Sequence, residues 1–286
     1  MPTEVLVDYA CVTGECPHWH PMEQCVYWID IPKGQIFRYY PATRKHEKVF
    51  ENPLMIGGLT IQQDGALLLF MEHGAIKQYK DGSLSTIFED IPDERDTRFN
   101  DAIADPEGRV FCGTMPTDTR PGHLYRLDVD RSLAQMEGNL GISNGMGFSP
   151  DLKYFYHTDS TARIIYRYDY ERSGGGLGNR RELIRIPSGQ GVPDGLAVDA
   201  QGYIWSARWD GSMLVRYTPG GAVDLTIYVP ARKVSSVAFG GAGYSDIYIT
   251  SGGGDNKIRE GSNAGALFRV QLGIKGKAEF FSKVRA

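Results

Sequence analysis

Apolar and polar residues alternate in short runs along nearly the whole chain. CVYWIDI, GQIFRYYP, ALLLFM, YFYHTDS, IIYRYDY, GYIWSARW, SMLVRYT, DIYIT and ALFRV all follow this pattern. Each run is rich in β-branched and aromatic side chains and is bounded by Gly, Pro, Asp or Asn. A period of two with such boundaries predicts half-buried strands. No stretch holds the 3.6-residue period of an amphipathic helix. The pattern predicts an all-β chain of many short strands.

The strands also recur as a group. Aligned on their short first strand, the six segments place Glu15, Gly58, Asn100, Asn144, Asp194 and Ser236 in one column, spaced 42 to 50 residues apart. A repeat of this length holding about four strands is the signature of a β-propeller blade. Six repeats predict a six-bladed β-propeller with four antiparallel strands per blade, spanning 1–286 as one domain. The inner strands are expected to begin near residues 16, 59, 101, 145, 195 and 237. The fourth blade reads as 145–149, 153–159, 162–170 and 180–186, and the fifth as 195–199, 203–208, 212–218 and 223–229. The sixth has three clear strands near 236–240, 246–250 and 266–272. Its fourth is either the N-terminal TEVLVDY or the C-terminal AEFFSKV. The N-terminal strand is expected there, because joining the two ends of the chain removes an exposed edge.

Composition narrows the class. The chain has 286 residues, 41% of them hydrophobic, and a formal charge of −4. No basic stripe marks a nucleic-acid surface. No apolar run approaches the roughly 20 residues that span a bilayer, and the first residues lack the charged and apolar regions of a secretory signal. A cytoplasmic protein is expected, a monomer or weak homo-oligomer that binds neither nucleic acid nor membrane. Four cysteines, Cys11, Cys16, Cys25 and Cys112, contain no Cys-x-x-Cys pair. They read as free thiols. Cys16 beside Glu15 has no His partner in the column.

The chemistry concentrates in the column. Inner strands line the channel of a propeller, so equivalent positions face one axis. Turn chemistry explains a single Asp or Asn at a strand entrance. It does not explain a Glu, nor four polar residues in one ring. The donors of Glu15, Asn100, Asn144 and Asp194 are oxygens, which suit Ca²⁺, Mg²⁺ or Mn²⁺. With no His or Cys in the column, Zn²⁺ is less expected, although carboxylates also bind it. Arg98 enters with Asn100 in TRFND and could clamp an anionic or polyhydroxylated substrate. Asp101 and Asp159 lie nearby, and Asp159 reads as a turn cap. His18 and His20 in PHWH read as core or rim packing. SGGGLGN at 173–179 reads as a hairpin loop, since no helix follows it.

With GECPHW, YWIDI, RFNDAIADPEGRVFCGTM, ISNGMGFSPD, FYHTDS, GNRRELI, PDGLAVDAQGYIW and FGGAGYSDIYIT, the chain resembles the gluconolactonase, regucalcin (senescence-marker) and luciferin-regenerating enzyme family. The resemblance runs from about Gly14 to Phe281. It implies a six-bladed propeller with one divalent metal held by Glu15, Asn144 and Asp194. It implies that Arg98 and Asn100 contact substrate. The expected activity is metal-dependent hydrolysis of a sugar lactone to the aldonic acid, with Asp194 as both ligand and proton acceptor. The alternative is a non-catalytic calcium-binding regulatory propeller. Three positions depart from the family pattern: Cys16, Ala102, and the 115–121 loop, whose one carboxylate is Asp118.

Overall fold

The computed structural model describes residues 3–285. Six four-stranded antiparallel sheets form the blades of a propeller. Five blades take their strands consecutively. The sixth takes Lys233–Gly240, Asp246–Gly252 and Ala266–Gln271, and its outer edge is supplied by Glu4–Asp8. That closing pair is antiparallel, running from Glu4↔Arg269 to Asp8↔Ala266. The N-terminal strand therefore closes the ring, as expected.

Packing follows from the alternation. Six apolar clusters form, and each lies between two neighbouring blades. Trp205 and Phe239 meet edge-on between the fifth and sixth blades. Trp19 stacks on Tyr248 where the sixth meets the first. Each fully buried Phe, Ile or Val contributes about 1.5–3 kcal/mol, so the blade interfaces hold the ring together. Their loss would leave isolated sheets with two bare apolar faces.

The inner strands are Gly14–His20, Ile56–Ile61, Phe99–Ala104, Ser143–Phe148, Val192–Val198 and Lys233–Gly240. Each begins two to four residues before the expected start. The reason is a bulge. Pairing with the second strand slips between Glu15 and His18, Ile56 and Gly58, Phe99 and Asp101, and Asn144 and Met146. It slips again between Pro193 and Leu196 and between Val234 and Ser236. A bulge breaks the two-residue alternation, so the strand reads from sequence as starting only after it. The column residues lie at these bulges, inside the strands rather than at their heads.

The opposite end of the channel is covered by the C-terminal segment. After Gln271 it forms no further blade strand and crosses the turns that follow the inner strands. Lys275 O accepts from Ala200 N at 2.9 Å, and Gly276 N donates to Tyr244 O at 2.7 Å. Ser282 N donates to Ile61 O at 2.9 Å, and Lys283 N to Gly108 O at 2.8 Å. Four blades are stitched by one strap. AEFFSKV has the apolar content of a strand, but its backbone bonds are spent on these separate turns.

Candidate functional site

A bulge turns a side chain out of the sheet's alternation. At four bulges that side chain carries an acidic or amide group. Cys16 N donates to Glu15 Oε2 at 2.8 Å, Ala102 N to Asp101 Oδ1 at 2.8 Å, and Gly145 N to Asn144 Oδ1 at 3.1 Å. The Gly195 amide favours the charged form of Asp194. Thus the local backbone fixes each group toward the axis. In the second blade the bulge is Gly57, where an added Cβ would lie 1.8 Å from Phe99 O. That close approach of backbones requires glycine and leaves this blade without a polar contribution.

Glu15, Asn144 and Asp194 converge with Arg98 and Asn100 on one cavity of about 300 Å³ at the mouth of the channel. Glu15, Asn144 and Asp194 are buried. Asn144 donates to Asp194 Oδ1 and to Ser160 Oγ, the latter at 3.1 Å. Ser160 in turn donates to Pro193 O at 2.6 Å, which ties the fourth blade to the fifth. Arg98 Nη1 donates to Asn100 Oδ1 at 2.7 Å and to Phe99 O at 2.9 Å. Asn100 Nδ2 reaches Ser143 O of the next blade at 3.0 Å. All five residues singled out for the site are therefore brought together. Gly58 and Ser236, the other two members of the column, are not part of this cavity.

Electrostatics mark the base of the cavity. Burial pushes the Glu15 carboxyl well above its usual range, and Asp194 and Asp101 add repulsion. Burial does the same to Asp194, with Asp101 adding, while the Asn144 hydrogen bond and Arg98 oppose it. Burial also brings Arg98 down to about 10, against the pull of Glu15, Asp194 and Glu72. It stays cationic at neutral pH. Its guanidinium is bonded to Asn100 and Phe99 rather than to either carboxylate. Two buried carboxylates without a bonded cation are costly unless a cation joins them. Among the described residues no group of three His, Cys, Asp and Glu side chains is placed to hold a metal. The set here needs the Asn144 amide, whose oxygen takes the place of its nitrogen after a half-turn of the terminal bond. Two carboxylates and an amide fit a hard divalent cation.

The structure also brings in residues that the strand pattern did not mark. Ile31, Met115, Ile142, Val192 and Trp209 give the cavity an apolar rim. They come from turns and strand ends of separate blades, where no local period exposes a shared purpose. Asp118 is exposed and lies outside the cavity lining. Met115 is the residue of that loop that reaches it. The loop is held by Arg120, which bonds the buried Glu94 at 3.0 Å, and Glu94 also accepts from Tyr125 at 2.7 Å.

Ser236 lines a second, narrower cavity farther down the channel, with Cys16, His18, Asp101 and Glu279. The four cysteines are free and buried. Cys16 is packed on the second blade, its thiol donating to Leu59 O at 3.5 Å, and burial pushes its pKa well up. Neither feature suits a nucleophile. His18 and His20 are buried in the first inner strand. Asp159 caps its turn by accepting from Gly141 N and Ala162 N, each at 3.0 Å. A larger cavity, about 530 Å³, opens between the first and second blades on the outer surface. Arg38 is paired there with Glu23 and Glu47 and Lys80 with Asp64, and Asp81 is exposed to solvent. The mouth of the channel, not this outer groove, holds buried carboxylates without a bonded cation.

The fold agrees with the comparison to known proteins. Residues 13–253 match the SMP-30/Gluconolactonase/LRE-like region, and the chain belongs to that family. It is 45% identical over 289 residues to pentonolactonase XacC of Haloferax volcanii, covering 98% of each chain. It is 34% identical to 6-deoxy-6-sulfogluconolactonase of Pseudomonas putida, covering 96% of each. Among solved structures, a luciferin-regenerating enzyme superposes with a TM-score of 0.91 at 29% identity, covering 99% of each chain.

Proposed function

We propose that this protein is a metal-dependent lactonase that opens a sugar lactone to its aldonic acid. The observation carrying this reading is that two buried carboxylates without a bonded cation share one cavity with the polar pair Arg98 and Asn100. A purely structural cation needs the first and not the second. The relatives named for lactone hydrolysis support the same class.

Glu15, Asn144 and Asp194 would hold one divalent ion, with calcium favoured by the oxygen-only donors and Mg²⁺, Mn²⁺ or Zn²⁺ as the other candidates. When bound, the ion supplies polarisation of the lactone carbonyl and charge for the oxyanion of the tetrahedral intermediate. Arg98 and Asn100 donate to the sugar hydroxyls and orient the ring. Asp194 accepts a proton from the attacking water as its oxygen bonds the carbonyl carbon. That proton then passes to the ring oxygen as the ester C–O bond breaks. The product carries the new carboxyl and one freed hydroxyl.

The test is proton release on adding pentono- and hexonolactones to protein treated with chelator, then reloaded with each metal in turn. Turnover restored by at least one divalent ion is expected. Ion binding with no turnover of any lactone would overturn the enzyme and leave a calcium-binding regulatory propeller. Glu15→Gln and Asn144→Ala should each weaken ion binding, and full retention in both would remove the ligand assignment.

A further inference from the structure

We propose that the rim of this cavity selects an uncharged aldonolactone, with Trp209 as the surface on which the C–H face of the sugar rests. This deepens the lactonase reading and rests on it.

The cavity is divided by polarity. Its base carries Glu15, Asn144, Asp194 and Arg98, and its rim carries Met115, Ile142, Val192 and Trp209. Arg98 is the one cation in the lining among the described residues. It sits at the base, engaged with Asn100. The next cations lie outside the lining: Arg163 is bonded to the carbonyls of Ile186, Pro187 and Gly191, the buried Arg208 to Ser206, Ala207 and Tyr217, and the other two are in ion pairs. Arg232 Nε lies 3.3 Å from Asp210, and Lys233 Nζ lies 3.3 Å from Glu260 and 3.9 Å from Asp210. A lactone whose carbonyl reaches the base must place its far end against the rim. A sulfonate, phosphate or carboxylate there would lose water and meet no counter-charge in the lining.

Trp209 is held for a purpose that the core does not need. It ends the strand Ile204–Trp209 and is half-buried, unlike Trp205, which is buried between blades. Its ring edge rests on Gly252, where an added Cβ would lie 2.9 Å from the indole. Gly252 has no left-handed backbone conformation that would call for glycine. Space for the indole and for the nearby Val12 carbonyl is the remaining reason. Lys233 Nζ stands 5.2 Å from the ring centroid. The indole is thus steadied from the sixth blade while it borders the cavity. A sugar presents one face of C–H bonds and an edge of hydroxyls. Arg98 and Asn100 take hydroxyls at the base, and an aromatic rim suits the C–H face.

The experiment compares the metal-loaded wild type with Trp209→Ala and Trp209→Phe on two substrates, glucono-1,5-lactone and its 6-phosphate. Wild type should favour the neutral lactone in kcat/KM by about 100-fold or more, the scale of an unpaired desolvated charge. Trp209→Ala should raise KM for the neutral lactone by about tenfold with kcat within about twofold, and Trp209→Phe should restore most of it. Equal use of both substrates overturns the uncharged rim. An unchanged KM in Trp209→Ala overturns the platform. So does a collapse of kcat shared by both variants, which marks a structural residue. If wild type opens no lactone, the lactonase reading itself fails. The rim is then decided by saturation-transfer NMR with 1,5-anhydroglucitol and its 6-phosphate, which keep the ring without the scissile bond. Preference for the neutral ring, weakened in Trp209→Ala, supports the rim. No preference removes it.

Discussion

The two ends of the central channel are built from the same six strands and do opposite things. At one end the bulges turn Glu15, Asn100, Asn144 and Asp194 toward the axis, and the cavity stays open. At the other end the strands run on into turns, and the C-terminal strap bonds across them. Regular pairing ends in a sealed floor, and broken pairing ends in a site. The difference teaches that function here depends on local departures from the sheet, which the intact blade interfaces can carry.

The strongest way to break this contrast is at Asp194. Asp194→Ala should lose the metal and with it all measurable turnover, read by metal analysis and by proton release. Asp194→Asn keeps an oxygen donor and removes the proton acceptor, so a loss of about 10²–10⁴-fold in kcat is expected. If the Asn variant keeps its metal and at least half of the wild-type kcat, Asp194 is a ligand only.

The floor is tested next. Ending the chain after Gln271 removes the strap, including the buried Val284 and Ser282. A loss of about 3–5 kcal/mol is expected in urea unfolding, the scale of removing one or two large buried side chains. Unfolding midpoints equal to wild type would show that the floor is ornamental to the ring. Arg98→Ala comes third and touches the open end alone. It should raise KM by about 10- to 100-fold, the range of a lost charged hydrogen bond, with metal still bound. A fall in kcat at constant KM would instead place Arg98 in the chemical step.

The smallest expected effect lies between the two ends. Burial pushes the Asp101 carboxyl up to about 7, with Glu279 adding and the Ala102 N–H opposing. In the unfolded chain the group titrates near its ordinary value of about 4. Between these two values the unfolded state gives up its proton while the folded state keeps it. Stability therefore falls as pH rises through that window. Discounted for partial exposure, wild type should lose about 1–2 kcal/mol more than Asp101→Asn between about pH 4 and pH 8, in chelator-treated protein. Parallel stability profiles would show that Asp101 is solvated.

The blades were legible because strand alternation and turn residues act over a few residues, and each repeat restates them. The column was legible for the same reason. Aligning six copies put Glu15, Asn144 and Asp194 together without any three-dimensional information. What stayed hidden depends on more than one segment at once. A bulge is a slip between two strands, so the starts of the inner strands were read two to four residues late. The rim draws Met115, Ile142 and Trp209 from three blades, and nothing near any one of them points to the others. The strap AEFFSKV looks like a strand because its composition is that of one. Its partners, Ile61, Gln63 and Gly108, could not be read from it.

Ring closure by Glu4–Asp8 on Ala266–Gln271 also orders the birth of the protein. Glu4–Asp8 is made well over two hundred residues before its partner, so it must wait while the blades between are translated. Until then the growing chain has two open ends, and the faces around Trp19 and Tyr248 have no partner. Nascent strand edges of this kind invite pairing with other chains. Glu15 is made early, but the sixth blade that closes the ring beside it is made last. A ribosome that stops short of the final blade releases an unfinished ring, and cellular quality control then has a large sticky surface to recognise.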